Sequence, residues 1–328
     1  MKKIFFIFPE FKDTITGGTY YDHEVCRYLK KIHVPTKKIV VSSSITQMRL
    51  SYLVKHLPKK SIILIDGYLA NKISFAFNKN IHILVHHPCC LEKREGKMSN
   101  LNLYFNEKKA FSNSKSIITV SFYMKKVIQS LLDRIVKIEV AYPGIDSKYY
   151  SNKIDLNSNK ILAVGNVIER KGYHILIEAL SNIKHNWHLN IIGKYSKSDI
   201  YYLKLIEKIE KYKLSENITF LGNITDNAKM KYVLDSKIFV LPTSYEGFGI
   251  SLVEACASGM NVITSDLPVL KEVLRGGKVT FFPTNDANKL SEAIEYNLLS
   301  ESKSSDSKIR HYTWNDTAKN FKRLFYAN

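Results

Sequence analysis

Two carboxylates bracket a glycine turn in the second half of the chain, in the run Glu246-Gly247-Phe248-Gly249-Ile250-Ser251-Leu252-Val253-Glu254. Gly247 and Gly249 permit close backbone approach, and Ile250 to Ser258 has helical spacing that ends at Gly259. Such a turn aims helix N–H groups and the positive end of the helix dipole at its occupant, which suits a diphosphate. Glu246 and Glu254 would repel phosphate, so they read as acceptors for neutral hydroxyls at the two ends of one ligand, such as a sugar and a ribose. Taken singly, a loop carboxylate and a solvated helix face account for them equally well.

Arg170 and Lys171 open a second helical stretch, 172–185. Cations there oppose the helix dipole unless an anion is bound. His86 and His87 follow an apolar run at 81–85. A lone histidine is usually structural, but a pair at a strand end that faces a cleft favours function. Gly17-Gly18 lies between the first apolar run and a helix and could admit an anion, without the GxGxxG of a dinucleotide site. Asp66-Gly67 reads equally well as a turn or as acceptor-side lining. Cys26, Cys89, Cys90 and Cys256 show no metal-ligand spacing and read as reduced thiols, and no Asp-x-Asp follows a strand. No metal site is expected.

The elements that must position these groups are legible as apolar runs at 3–8, 38–41, 61–65, 81–85, 116–120 and 137–141, then at 160–164, 189–192, 218–220, 237–241, 261–264 and 278–282. Continuous rather than alternating runs suit strands buried on both faces of a parallel sheet. Helical stripes lie between them: Ile175, Leu176, Ala179, Leu180 and Ile183 form one, and Ile200, Leu203, Ile206 and Ile209 another. The pattern predicts an α/β protein of two doubly wound Rossmann-like domains, with ligands at the carboxyl ends of the strands and in the cleft between domains. Domains are expected at 1–150 and 151–305, with the polar stretch 151–160 as linker and 306–328 as a terminal segment.

The E-x7-E of Glu246 and Glu254, continued by EACASGMNVITSD, resembles family 4 of the retaining GT-B glycosyltransferases. The resemblance implies that Glu246 contacts the donor sugar, that Glu254 binds the ribose, and that the backbone of Gly247, Phe248, Gly249 and Ile250 faces sugar and diphosphate. GNVIERKGYHILIEAL (165–180) is similar to the segment beginning at Gly165 whose lysine, here Lys171, neutralises the diphosphate. Asn166 stands where many members carry arginine, so Arg170 is the candidate substitute. IIGKY and FLGNI resemble the base-framing segments, which brings in Gly193 and Asn223. His86 matches the strand-end histidine that touches the donor sugar, with His87 as alternate, and Gly17-Gly18 matches a loop beside donor phosphate and acceptor. The segment 311–328 looks like the last helix that crosses back to the first domain, with Trp314 as a packing anchor. The implied activity is metal-independent transfer of a hexose from a nucleotide-diphosphate sugar, a substrate rather than a cofactor. The implied acceptor is a saccharide, glycolipid or lipid-linked intermediate. An epimerase or phosphorylase on the same fold is the alternative.

At 328 residues, 45% hydrophobic and 24% charged, the chain is neither disordered nor fibrous. Its formal net charge is +19, and residues 1–150 hold 25 Lys and Arg against 11 Asp and Glu. An excess of that size implicates a polyanion. Nucleic acid is disfavoured by the lack of any recognition motif. An anionic membrane surface or phosphate-bearing acceptor remains, with KKVIQSLLDRIVK (125–137) as candidate contact, though a core-packed helix fits it better. The first apolar run breaks at Pro9 and Glu10, too early for a signal peptide, and no spanning segment appears. A cytoplasmic protein, soluble or peripheral on the inner face of a membrane, is expected.

Overall fold

The computed structural model describes residues 1–11, 16–73, 80–92, 97–150, 154–300 and 308–326, with backbone alone at 97–100. The chain divides into two compact units, Met1–Gly144 with Tyr312–Asn328, and Ile145–His311.

The first unit contains β1 (Ile4–Glu10), α1 (Gly17–Lys31), β2 (Thr36–Ser42), α2 (Gln47–His56), β3 (Ile62–Asp66), α3 (Gly67–Ala70), β4 (Ile81–Val85), α4 (Lys97–Asn113), β5 (Ser116–Thr119), α5 (Phe122–Ser130) and β6 (Ile138–Val140). Its strands form one parallel sheet in the order β2-β1-β3-β4-β5-β6. Isoleucine, leucine and phenylalanine fill β1, β3 and β4, which are buried along their apolar length. Only the edge strand β2, with Lys37 and Lys38, alternates with solvent. One side of the sheet packs Ile7, Ile63 and Ile65 against Leu50 and Val54 of α2.

The second unit runs β7 (Lys160–Val164), α6 (Tyr173–Ser181), β8 (His188–Ile192), α7 (Ile200–Lys211), β9 (Ile218–Gly222), α8 (Asp226–Leu234), β10 (Ile238–Leu241), α9 (Ile250–Ala257), β11 (Asn261–Ser265), α10 (Pro268–Val273), β12 (Val279–Phe282) and α11 (Ala287–Leu299). Its parallel sheet has the order β12-β11-β10-β7-β8-β9. Strand order reverses between β1 and β3 in the first sheet and between β7 and β10 in the second. Ligands of open α/β sheets bind outside the carboxyl ends of strands at such reversals. That rule marks the loops after β1, β3 and β4 in one unit, and those after β7 and β10 in the other.

The last helix, α12 (Trp314–Tyr326), packs on α1 within the first unit. Trp314 is 2% exposed and meets Tyr20 and Tyr21 edge-on, and Thr317 Oγ1 donates to the Tyr142 carbonyl at 2.7 Å. Trp314 is an anchor.

Five expectations need correction. The chain leaves the first unit at Gly144 rather than at 150, because Ile145 and Tyr149 are buried in the second unit's core. The expected linker is likewise fixed there: Ile154 is buried, and the Asp155 N–H donates to the Leu234 carbonyl at 2.9 Å. Residues 151–153 of that linker lie outside the described residues. The return to the first unit comes at Tyr312 rather than 306, since Ile309 is still buried in the second unit. The stripe on α7 also differs. Ile200 and Leu203 are exposed, while Leu205 and Ile209 are buried and Tyr202 stacks on Tyr195. Finally, 125–137 is no single core-packed helix: α5 stops at Ser130, Ile135 is exposed and Val136 enters the core. Among the described residues no helix is long and apolar enough to cross a membrane.

Candidate active site

In the second unit, β7 ends at Val164 and its chain turns at Gly165. Gly193, at the end of β8, packs directly on that turn; a Cβ there would lie 2.0 Å from the Gly165 carbonyl oxygen. Gly193 therefore has a packing reason independent of any ligand. Arg170 and Lys171 occupy a short 3-10 turn, Glu169–Lys171, before α6. The Ser244 N–H donates to the Arg170 carbonyl at 2.8 Å and ties this turn to the loop after β10.

On that loop Glu246 is buried between both cations. Lys171 Nζ ion-pairs with Glu246 Oε1, and Arg170 Nη1 lies 3.7 Å from the same oxygen while donating to the Tyr245 carbonyl at 3.1 Å. Burial raises the Glu246 pKa, but Lys171 and then Arg170 outweigh it and hold the carboxyl below its ordinary value. Lys171 is held below the usual lysine value, first by burial, with Arg170 adding repulsion and Glu246 offsetting only part. Two cations thus share one buried carboxylate oxygen.

Beside it, Gly249 caps α9 with φ 86° and offers no side chain to its first-turn N–H groups. The Phe248 side chain is buried, so this loop can present only backbone at that position. Glu254 is buried inside α9, where Oε2 accepts from Lys229 Nζ at 3.2 Å. Burial lifts the Glu254 pKa, and Lys229 reverses this only in part. Lys229, on α8, was invisible to motif reading, since nothing in a lysine near a helix start announces a carboxylate partner. Asn166 is a brace: its Oδ1 accepts from the Lys194 N–H at 3.2 Å, joining the loops after β7 and β8. Arg170 is the second cation on Glu246 instead. Asn223 is exposed beyond β9, and no bond among the described residues joins it to the Lys171–Glu246 cluster.

In the first unit, the glycine pair is not a free loop. Thr16 caps α1 in a capping box with Thr19, and Gly17 and Gly18 form the first helical turn. A Cβ on Gly18 would lie 2.9 Å from His86 Cδ2, so this glycine makes room for the imidazole. His86 follows β4, and its Nε2 lies 3.1 Å from Asp22 Oδ1 and 3.2 Å from Asp66 Oδ2. These three groups place polar atoms within 4.8 Å of one another. His87 turns elsewhere, with Nε2 2.8 Å from Glu92 Oε1. Sequence reading had Asp66 as turn or lining. It is both helix cap, accepting from the Tyr68 N–H at 2.7 Å, and histidine partner. Asp22 was missed altogether.

Two doubly wound parallel sheets, each with helices packed on it, are the fold of the GT-B class. Residues 146–314 match the glycosyl transferases group 1 family, and the chain belongs to it. O-antigen chain mannosyltransferase RfbU of Salmonella typhimurium is 31% identical over 182 residues, 55% of this chain and 50% of that protein. The phosphatidyl-myo-inositol mannosyltransferase of Mycobacterium leprae is 29% identical over 167 residues, 48% of this chain and 43% of that one. The chain thus spans about half the length of these curated relatives. Anabaena HepE, solved with UDP and glucose, superposes with a TM-score of 0.78 over 98% of this chain and 99% of its own, at 15% identity. That likeness is one of fold.

Proposed function

We propose that the protein is a retaining, metal-independent hexosyltransferase that moves a sugar from a nucleotide-diphosphate donor to an acceptor hydroxyl in polysaccharide, lipopolysaccharide or glycolipid assembly. The observation that carries this reading is the Arg170–Lys171–Glu246 cluster, two cations on one buried carboxylate, in the loop that leads to the start of α9, which no side chain caps. In the reaction, the bond from the anomeric carbon to the diphosphate breaks and the acceptor oxygen bonds the same carbon from the same face. The acceptor proton passes to the departing phosphate oxygen. Lys171, Arg170 and the α9 N–H groups stabilise the charge that grows on the diphosphate. Both cations address Glu246 Oε1, so we assign Oε2 to a sugar hydroxyl. Glu254 takes the ribose, and His86 a hydroxyl of the donor sugar.

The names of RfbU and of the mycobacterial mannosyltransferase support a saccharide or lipid-borne acceptor. The positive charge of residues 1–150 supports work at an anionic inner membrane face. Failure to bind anionic vesicles at low salt would remove that setting. The central test combines a melting-temperature panel of nucleotide diphosphates with transfer of labelled sugar in EDTA. One nucleotide should raise the melting temperature by mass action, and its sugar conjugate should label acceptor with the anomeric configuration kept. Acceptor-free conversion of donor, or an EDTA-dependent reaction, would overturn the assignment.

A further inference from the structure

We infer that Asp22 and Asp66 are positioning residues that hold His86 as a fixed imidazolium, with one proton kept between the two acids. His86 then presents Nδ1–H as a charged donor and does not act as a base. The inference rests on the reading above, in which His86 meets the donor sugar.

The geometry is over-determined. Both acids address the same ring nitrogen, Nε2, at 3.1 and 3.2 Å, which leaves Nδ1 as the nitrogen for a ligand. Tyr21 lies edge-on to the ring with centroids 5.2 Å apart, and α1 closes over it at Gly18. Asp66 is fixed in turn by capping α3 through Oδ1. The acids come from α1 and from the end of β3, the histidine from the end of β4, so three elements converge at the reversal of strand order.

Charge accounting sets the protonation. Two buried carboxylates around one imidazolium would leave a net negative charge out of water, which is costly. One proton shared by the acids makes the cluster neutral. Asp22 is the member that keeps it: fully buried, its Oδ2 has no hydrogen-bond partner among the described residues, a state a neutral carboxyl tolerates better than a carboxylate. Burial, more than the neighbouring Asp66, pushes Asp22 up to about 8, against the pull of His86. Burial pulls His86 down, but Asp22 and Asp66 outweigh it and raise it to about 10. The other titratable groups facing the cluster are Tyr21 and Cys26, raised by burial and then by Asp22, so both stay neutral.

The test is an imidazole NMR titration of histidine-labelled full-length protein from about pH 5 to about pH 11, with His86→Gln assigning the signal. The wild-type ring should keep imidazolium shifts through neutral pH. Asp22→Asn and Asp66→Asn should each leave it charged, because either acid alone can supply the counter-charge. Asp22→Asn/Asp66→Asn should drop the midpoint below roughly 6.5, since burial then acts unopposed. That variant should also lose about ten- to a hundredfold in kcat at neutral pH, recovering toward acid. A wild-type midpoint near ordinary histidine, or a double variant that stays charged, would overturn the inference. The ring signal needs no turnover, so it reads the cluster even if sugar transfer itself fails, and the wild-type titration decides if the double variant does not fold.

Discussion

The two candidate sites, one in each unit, are built as opposites. In the second unit one carboxylate, Glu246, is buried between two cations. In the first unit one cation, His86, is buried between two acids. Both stand at a reversal of strand order, where the loops after neighbouring strands converge. The difference lies in what each leaves over. In the cationic cluster both cations address one oxygen of the carboxylate, which on the proposed reading leaves the other oxygen to a sugar hydroxyl and the cations to the diphosphate. The histidine cluster is complete once the acids share a proton, so it needs no ligand charge and can offer a donor of fixed orientation. On the proposed reading, one site meets the charge of the donor and the other directs a hydrogen bond.

The most damaging way to break this contrast is Lys171→Ala. The variant removes the cation most intimately paired with Glu246 and leaves only the more distant Arg170 beside it. Transfer should fall on the order of 10²–10³-fold, the scale of losing a preorganised electrostatic contact to a leaving group. The melting temperature of the free protein should change little, since Lys171 is held against burial and like charge. Steady-state transfer assays with a thermal melt check both halves, and turnover like wild type would sink the role of Lys171.

A subtler break targets the histidine side. Gly18→Ala sets a methyl 2.9 Å from His86 Cδ2, in a ring already held by Tyr21, Asp22 and Asp66. Either the ring turns or α1 moves, at about 1–3 kcal/mol. Transfer should drop roughly tenfold through kcat, while nucleotide diphosphate affinity, which the proposed reading assigns to the second unit, stays unchanged. A variant with unaltered kcat would show that the imidazole orientation is not critical.

The same contrast explains what could be read in advance. The strands were legible because apolar runs buried on both faces need no tertiary information. The Glu246–Glu254 segment was legible because turn, helix start and both carboxylates fall within one local stretch. Lys171 and Arg170 stood out as cations at a helix start that only an anion justifies. The histidine cluster was half legible. His86 and Asp66 each mark a strand end, but Asp22 sits inside α1, 64 residues from its partner, and its buried carboxyl looks in sequence like any helix-face acid. Lys229 was hidden for the same reason. Where the first unit ends was obscured because a polar stretch looks like a linker even when Ile154 is buried beneath it. The α7 face was misjudged because the helix packs through Leu205 and Ile209, with Tyr202 stacked on Tyr195, which leaves Ile200 and Leu203 exposed.

The smallest effect sharpens the comparison through pH. Burial and Arg170 hold the Lys171 pKa below its ordinary value in the free protein. A bound diphosphate adds negative charge and raises it, so the complex binds a proton more tightly than the free protein does. Affinity for a nucleotide diphosphate is then complete below the free-state pKa and is lost as pH rises toward the bound-state value, by at most about tenfold per pH unit. Calorimetric titrations from neutral to alkaline pH should show this decline beginning earlier than an ordinary lysine would allow. Lys171→Arg keeps a charge that does not titrate in this range, so its affinity, whatever the starting level, should be flatter with pH. An equal slope in both proteins would place the titrating group elsewhere. His86, already charged and neutralised within its own cluster, should contribute nothing to that slope, so Asp22→Asn/Asp66→Asn should leave it unchanged while altering the pH profile of kcat near neutrality.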